Sequence, residues 1–276
     1  MKNKNTLDIN KYWIDLGISY LIFSTIFITA LINNNIFLCA LSGIPLYRIG
    51  AFCHEIAHQY KNKKIKNFKY VWDATIGNLI MQPSILFTRP HLEHHKVGVF
   101  GTEKDPQYPL IHSDKKLAIV IFGFLPWLLP IYNIALCSLS FLKHKNPLLN
   151  ILYKNTSFSE EDLDEVFKLS LGYLIVLKLI IFIDILLPYS LIEYLYIASV
   201  TAWYLSVFRI PLEHSLISYK ESSVYKDQEE DSFTHTNFLY SIVQPLGLRF
   251  HTTHHMYPKV PYYKLKELYE SSTLSE

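Results

Sequence analysis

The sequence predicts an all-α integral membrane protein: about four transmembrane helices in two hairpins with a cytoplasmic histidine-rich helical cap, forming a single domain over residues 1–276. Three observations predict it. Half of the 276 residues are hydrophobic and only 18% are charged, against about 25% charged in ordinary soluble domains. The apolar residues gather into runs at 16–32, 36–52, 117–142, 169–187 and 189–210, each about 17 residues or more, the length that crosses a hydrocarbon core as helix. Eight of the twelve histidines fall in three clusters outside or at the edges of those runs. Each cluster has the spacing of one helix face.

The amino end, MKNKNTLDIN, is polar and lacks the apolar stretch and small-residue cleavage site of a secretory signal, so the first helix is expected to insert by itself. Asn33, Asn34 and Asn35 separate the first two runs and leave room only for a tight helical hairpin. Lys2, Lys4 and Lys11 precede that hairpin, and Lys61, Lys63, Lys64, Lys66 and Lys69 follow it. Basic residues flank the cytoplasmic ends of spans, which puts both ends of the hairpin inside. The same five lysines form a candidate surface for anionic head groups or an acidic electron donor.

Residues 74–87, ATIGNLIMQPSILF, are apolar but short, and they carry Asn78, Gln82 and Pro83. They suit an interfacial or partly buried segment better than a span. The run 117–142 has Lys115 and Lys116 before it and Lys143, Lys145 and Lys154 after it, and it contains Pro126 and Pro130. Both flanks read as inside, and the prolines are expected to break one straight helix, so this run is expected to be bent, re-entrant or in-plane. The runs 169–187 and 189–210 then form the second hairpin around Pro188, with Asp184 and Glu193 at its outer turn.

A net charge of +2 gives no nucleic-acid footprint, so nucleic acid is not an expected partner. Cys39, Cys53 and Cys137 lie in or beside apolar runs without CxxC spacing and are expected to pack as small hydrophobes. Asn155-Thr156-Ser157 fits the glycosylation sequon, but the topology places it in the cytoplasm.

The chemistry resides in the histidines. His54 and His58 in HEIAHQ stand at i, i+4; His91, His94 and His95 in HLEHH, and His251, His254 and His255 in HTTHH, stand at i, i+3, i+4. On a helix such a triplet aims its imidazoles at one point. Imidazole-rich, thiolate-poor faces select intermediate transition metals, and this many ligands suggests a pair of ions, iron rather than zinc. Glu55, Glu93, Asp105 and Glu213 lie close enough in sequence to orient ligands from behind. HEIAH also satisfies HExxH, the zincin signature, so a membrane zinc metalloprotease is the rival reading. A non-catalytic lipid sensor retaining the fold and the metals is a third.

HEIAHQ, HLEHHKVGVFGTEKDPQYP, RIPLEHS, THTNF and FHTTHHMYPKVPYYKLKEL, in that order, resemble the membrane-bound fatty acid desaturase family and its hydroxylase relatives. The resemblance implies a membrane di-iron oxidoreductase that desaturates fatty acyl chains with molecular oxygen, or hydroxylates them on the same scaffold. It implies two Fe ions, and metal ligands at His54, His58, His91, His94, His95, His251, His254 and His255. A further ligand matches His214 of LEHS, with His235 as the alternative; His112 and His144 match no box. The substrate it implies is a fatty acyl chain in the membrane. No haem-binding cytochrome b5 module fits before Leu16 or after Tyr269, so a separate electron donor of ferredoxin or cytochrome b5 type is implied.

Overall fold

A computed structural model of the chain describes residues 6–107, 115–214 and 231–273. The amino-terminal helix α1 (Ile9–Ile32) starts where the Asp8 side chain accepts from Asn10 N at 3.1 Å. It ends in the asparagine turn, where Asn34 takes φ +48° and Asn35 caps α2 (Ile36–Gly50) through Phe37 N and Leu38 N, both at 3.0 Å. Asparagine tolerates the left-handed conformation and supplies a short acceptor, so this tripeptide both reverses the chain and restarts the helix. Helix α2 runs on through Ala51 into α3 (Phe52–Gln59), which carries the first histidine pair.

Helix α4 (Lys66–Trp72) leads into a π-helical turn over Asp73–Gly77, and helix α5 (Ser84–His94) carries the second histidine cluster. Residues 74–87 therefore break into short helical pieces, with Met81 at φ +54°, rather than forming one span. Helix α6 (Lys115–Ser138) is continuous through Pro126 and Pro130, so the expected break at the prolines is absent. Tyrosines from a neighbouring helix stitch its backbone there: Tyr204 Oη donates to the Gly123 carbonyl at 2.7 Å and Tyr196 Oη to the Trp127 carbonyl at 2.8 Å. The carbonyls that Pro126 and Pro130 leave without an amide are those of Phe122 and Pro126, so these outside donors brace the residues next to the weakened positions.

Helix α7 (Glu160–Leu186) opens on a capping box between Ser159 and Asp162. Its partner α8 (Leu191–Glu213) follows a turn in which Asp184 accepts from Ile192 N at 2.9 Å. Five helical stretches, Ile9–Ile32, Ile36–Gln59, Ile119–Ser138, Glu160–Leu186 and Leu191–Glu213, are long and apolar enough to cross a membrane. That is one more than the expected four, because the run around the two prolines stays helical. Ile14, Ile18, Leu21 and Ile28 on α1, and Ile175, Leu179, Phe182 and Ile185 on α7, are exposed. Such apolar outer faces suit lipid and not water. The protein is an all-α, multi-pass membrane protein.

Helix α8 lies closely against α2. A Cβ added to Gly43 would sit 2.5 Å from Thr201 Cβ and 2.7 Å from the Ala198 carbonyl oxygen, so only glycine allows this approach. Cys39 Sγ donates to the Tyr194 carbonyl across the same interface, and all three cysteines are free. After α8 the described chain resumes with two isolated antiparallel bridges, His214 to Ser232 and Thr234 to Phe250. Helices α9 (His251–Met256) and α10 (Tyr262–Thr273) then close over α3.

One contact of the lysine cluster differs from expectation. Lys69 points inward, pairing with Asp73 at 2.8 Å and with Glu165, and is only 23% exposed. Lys61, Lys63, Lys64 and Lys66 remain for the surface.

Candidate metal centre

Helices α3, α5 and α9, with the residue that ends α8, bring nine histidines together. His54, His58, His91, His95 and His254 each offer one nitrogen within 4.8 Å of the others, and His94, His214 and His255 form a second such group. His251 completes the second group, its Nε2 lying 3.0 Å from Nε2 of His214 and 3.0 Å from Nε2 of His255. Every ligand residue expected from the sequence is thus found in one of two adjoining groups.

The triplets do not each aim at one point, as their spacing suggested. In the second cluster His91 and His95 enter the first group while His94 enters the other. In the third, His251 and His255 face the second group and His254 crosses to the first. On a helix with about 100° per residue, positions i and i+4 nearly eclipse, whereas i+3 is displaced by about 100° from i+4. Each triplet therefore serves two centres, and the two helices exchange their i+3 histidines.

The residues fit metal ions. His58 and His91 approach Nε2 to Nε2 at 2.8 Å, His91 and His95 at 3.2 Å, and His95 and His254 at 3.4 Å. Neighbouring ligands of an ion with metal–nitrogen bonds of about 2.1 Å are about 3 Å apart in octahedral geometry. His54 is 2% exposed, and neither of its ring nitrogens has a hydrogen-bond partner among the described residues. A buried polar ring left so is costly unless a metal satisfies it. Burial, reinforced by the neighbouring imidazoles, pushes His91, His95, His251, His254 and His255 well below the ordinary histidine range. The rings are neutral at physiological pH, which is the ligating form.

Carboxylates and carbonyls fix several rings from behind. Asp105, fully buried, accepts from His94 Nδ1 at 2.9 Å, from Gly101 N at 2.9 Å and from Gln107 N at 2.8 Å. The Asp231 carbonyl lies 3.3 Å from His214 Nδ1. Glu213 Oε1 is 3.7 Å from His251 Nδ1, beyond a hydrogen bond. Glu55 is 3.6 Å from His54 Nδ1, but its carboxylate accepts from Tyr12 Oη and from Tyr262 N. Glu93 turns to Lys96 at 2.6 Å and touches no histidine ring of the site.

His235 is placed elsewhere: its Nε2 donates to the Leu212 carbonyl at 2.9 Å and its ring stacks on Tyr240. His144 pairs with Glu160 at the surface, and His112 lies outside the described residues. Two contributors carried no motif. Phe100 is buried against His94, His214 and His255, walling the second group. Asp73 accepts from Ser84 N at 2.7 Å and Ser84 Oγ at 3.0 Å, holding the start of α5 and so the second cluster. Its spacing of four from Lys69 was the available signal.

A cavity of about 410 Å³ opens on both groups, reaching His54 and His91 of the first and His94, His214 and His251 of the second. Its walls come from α2, α5, α6 and α8, with Leu46, Leu86, Leu125, Leu129 and Val207 among them. The size and apolar lining are those of a site for a small molecule or a lipid chain.

Comparison with known proteins gives two findings. A sequence model of the fatty acid desaturase family matches residues 34–273. A ceramide hydroxylase from Caulobacter vibrioides is 27% identical over 288 residues, covering 92% of this chain and 78% of that protein. No solved structure matches.

Proposed function

The chain belongs to the fatty acid desaturase family, and as a membrane oxidoreductase of the desaturase and hydroxylase type we propose that it desaturates a fatty acyl chain, lipid- or thioester-linked, with molecular oxygen. One observation carries the reading: two adjoining histidine groups, five and four strong, line the end of an apolar cavity. We assign two iron ions to them, one held by His54, His58, His91, His95 and His254, the other by His94, His214, His251 and His255. Iron bound there would supply the electron transfer with oxygen that breaks an unactivated C–H bond. The protein's own contribution is placement. The cavity holds the chain beside the histidines and excludes water, and Asp105 and the Asp231 carbonyl fix the tautomers of His94 and His214.

Hydroxylation is the second reading, supported by the similarity to a ceramide hydroxylase. A zincin reaction is not supported, because Glu55, which would activate the water, is engaged by Tyr12 and Tyr262. Lipid profiling of a host expressing the chain beside a His94→Ala control tests the proposal. A new double bond supports the first reading and a new hydroxyl the second. No change in any lipid from a protein carrying two irons per chain would refute both.

The joint site bears on topology. His94 and His214 share a group, so an even number of membrane crossings separates them, although α6, α7 and α8 all lie between. One of the three does not cross completely, and we assign that role to the doubly proline-containing α6, leaving four crossings. Both termini and the site then face the cytoplasm, where a separate ferredoxin- or cytochrome b5-type donor can dock at Lys61, Lys63, Lys64 and Lys66.

A further inference from the structure

Helix α8 presents Trp203, Ser206 and Arg209 to the cavity, ahead of Glu213 and His214 at its end. In a mostly apolar chamber that also holds Gln82, Gln107 and Asn133, these are hydrogen-bonding groups on one helix, and two of the three lack partners. Trp203 Nε1 and Arg209 Nε are buried without a hydrogen bond, and no hydrogen bond to the Arg209 guanidinium forms among the described residues. The nearest charge is Glu213, whose Oε2 lies 3.5 Å from Arg209 Nε, with the two side chains 12% and 4% exposed. Glu213 in turn approaches His251.

A guanidinium has five donors, and leaving them unsatisfied in a desolvated site is expensive. Structural cations buried in a membrane protein are usually paired and hydrogen-bonded; this one is paired only. Arg209 lines the cavity that a lipid chain would enter. Because Glu213 already balances its charge, the complementary group is a neutral acceptor, not a second carboxylate. In an acyl lipid that acceptor is the carbonyl oxygen.

Resting on the lipid-oxidase reading above, the geometry points to Arg209 as the anchor for the carbonyl oxygen of an amide- or ester-linked acyl chain, with the indole N–H of Trp203 available to a second polar group. Arg209 stands four residues before Glu213 and five before the proposed ligand His214, about 6 to 7.5 Å of helical rise. The carbon that reacts therefore lies within a few bonds of the carbonyl, at the polar end of the lipid and not in mid-chain.

The test is equilibrium binding to the full-length, metal-loaded protein in nanodiscs without reductant, using N-methylhexadecanamide, methyl hexadecanoate and octadecane. The wild type is expected to prefer one or both carbonyl probes over octadecane by about tenfold or more, as a charge-assisted hydrogen bond warrants. The amide and ester arms distinguish the linkage. Arg209→Gln is expected to remove that preference, Arg209→Lys to keep part of it, and Trp203→Phe to leave it intact. If Arg209→Gln loses its iron, the double variant Arg209→Gln/Glu213→Gln, which removes both charges and keeps both volumes, carries the comparison. An equal preference in wild type and the neutral variant would overturn the assignment and leave the lipid-oxidase reading standing, whereas failure to bind all three probes would count against both.

Discussion

His94 Nδ1 and Asp105 Oδ2 lie 2.9 Å apart, both fully buried, and through this contact the loop after α5 governs a ring of the second histidine group. A carboxylate behind an imidazole fixes its tautomer and raises its basicity toward a metal. Asp105→Asn keeps the shape and loses the charge. It is expected to weaken metal binding by about 10–100-fold with helical content unchanged, measured by competition with a chelator and by circular dichroism.

His214 and His235 both follow α8, yet only His214 enters a histidine group. His214→Ala is expected to lower bound iron and abolish product while the protein still inserts. His235→Ala is expected to retain both irons. Metal analysis of the two purified variants decides, and full occupancy in the His214 variant would show that its role is structural.

Gly43 is required where α2 and α8 cross, because a side chain there meets Thr201 and the Ala198 backbone. Gly43→Val is expected to destabilise the protein by about 1–3 kcal/mol, the usual cost of overpacking. Thermal unfolding in detergent gives the measurement, with Gly50→Ala, which meets nothing within 4 Å, as the reference.

The proposed four crossings put the first box and the carboxyl-terminal helix on one side of the membrane. Single cysteines placed at Lys64 and at Ser272 are expected to react with an impermeant thiol reagent from the same side of the membrane. Labelling from opposite sides would separate the two segments by a bilayer and sink the assignment of four crossings.

Lys63 and Lys64 remain on the surface after Lys69 is taken up by Asp73 and Glu165. If they receive an acidic donor, reversing both charges slows reduction more at low than at high ionic strength, because salt screens exposed charges within about 10 Å at 0.1 M. Stopped-flow reduction at two salt concentrations is the assay, and equal slowing at both would remove the docking surface.

The three boxes and the asparagine hairpin were legible because spacing and short-range chemistry specify them; His214, outside any cluster, was marked by the family resemblance alone. The partition of each triplet between two groups was not. It depends on how α5 and α9 are rotated against each other, which long-range packing sets. The continuity of α6 was hidden for a similar reason: the hydroxyls of Tyr196 and Tyr204 that support its backbone come from a helix some seventy residues later. Glu55 and Asp73 show the same limit. Their neighbours in sequence suggested a role beside a metal for the first and only a pairing with Lys69 for the second, whereas their partners Tyr12, Tyr262 and Ser84 are supplied by the fold.

Glu55 has a consequence for the ends of the chain. Its carboxylate is held by Tyr12 of α1 and by the backbone of Tyr262 in α10, while Tyr262 Oη reaches Asp15 at 2.5 Å and Tyr263 Oη accepts from Asp8 N at 2.7 Å. The first and last helices are thus buckled to each other on the residue next to His54. Chain order keeps α10 near the third box but does not bring α1 and α10 together on the first; the buckle does. Clipping α1 or α10 away is expected to release the helix bearing His54 and His58, so a cut far in sequence from the first box would be felt as a loosened grip on any metal these histidines hold.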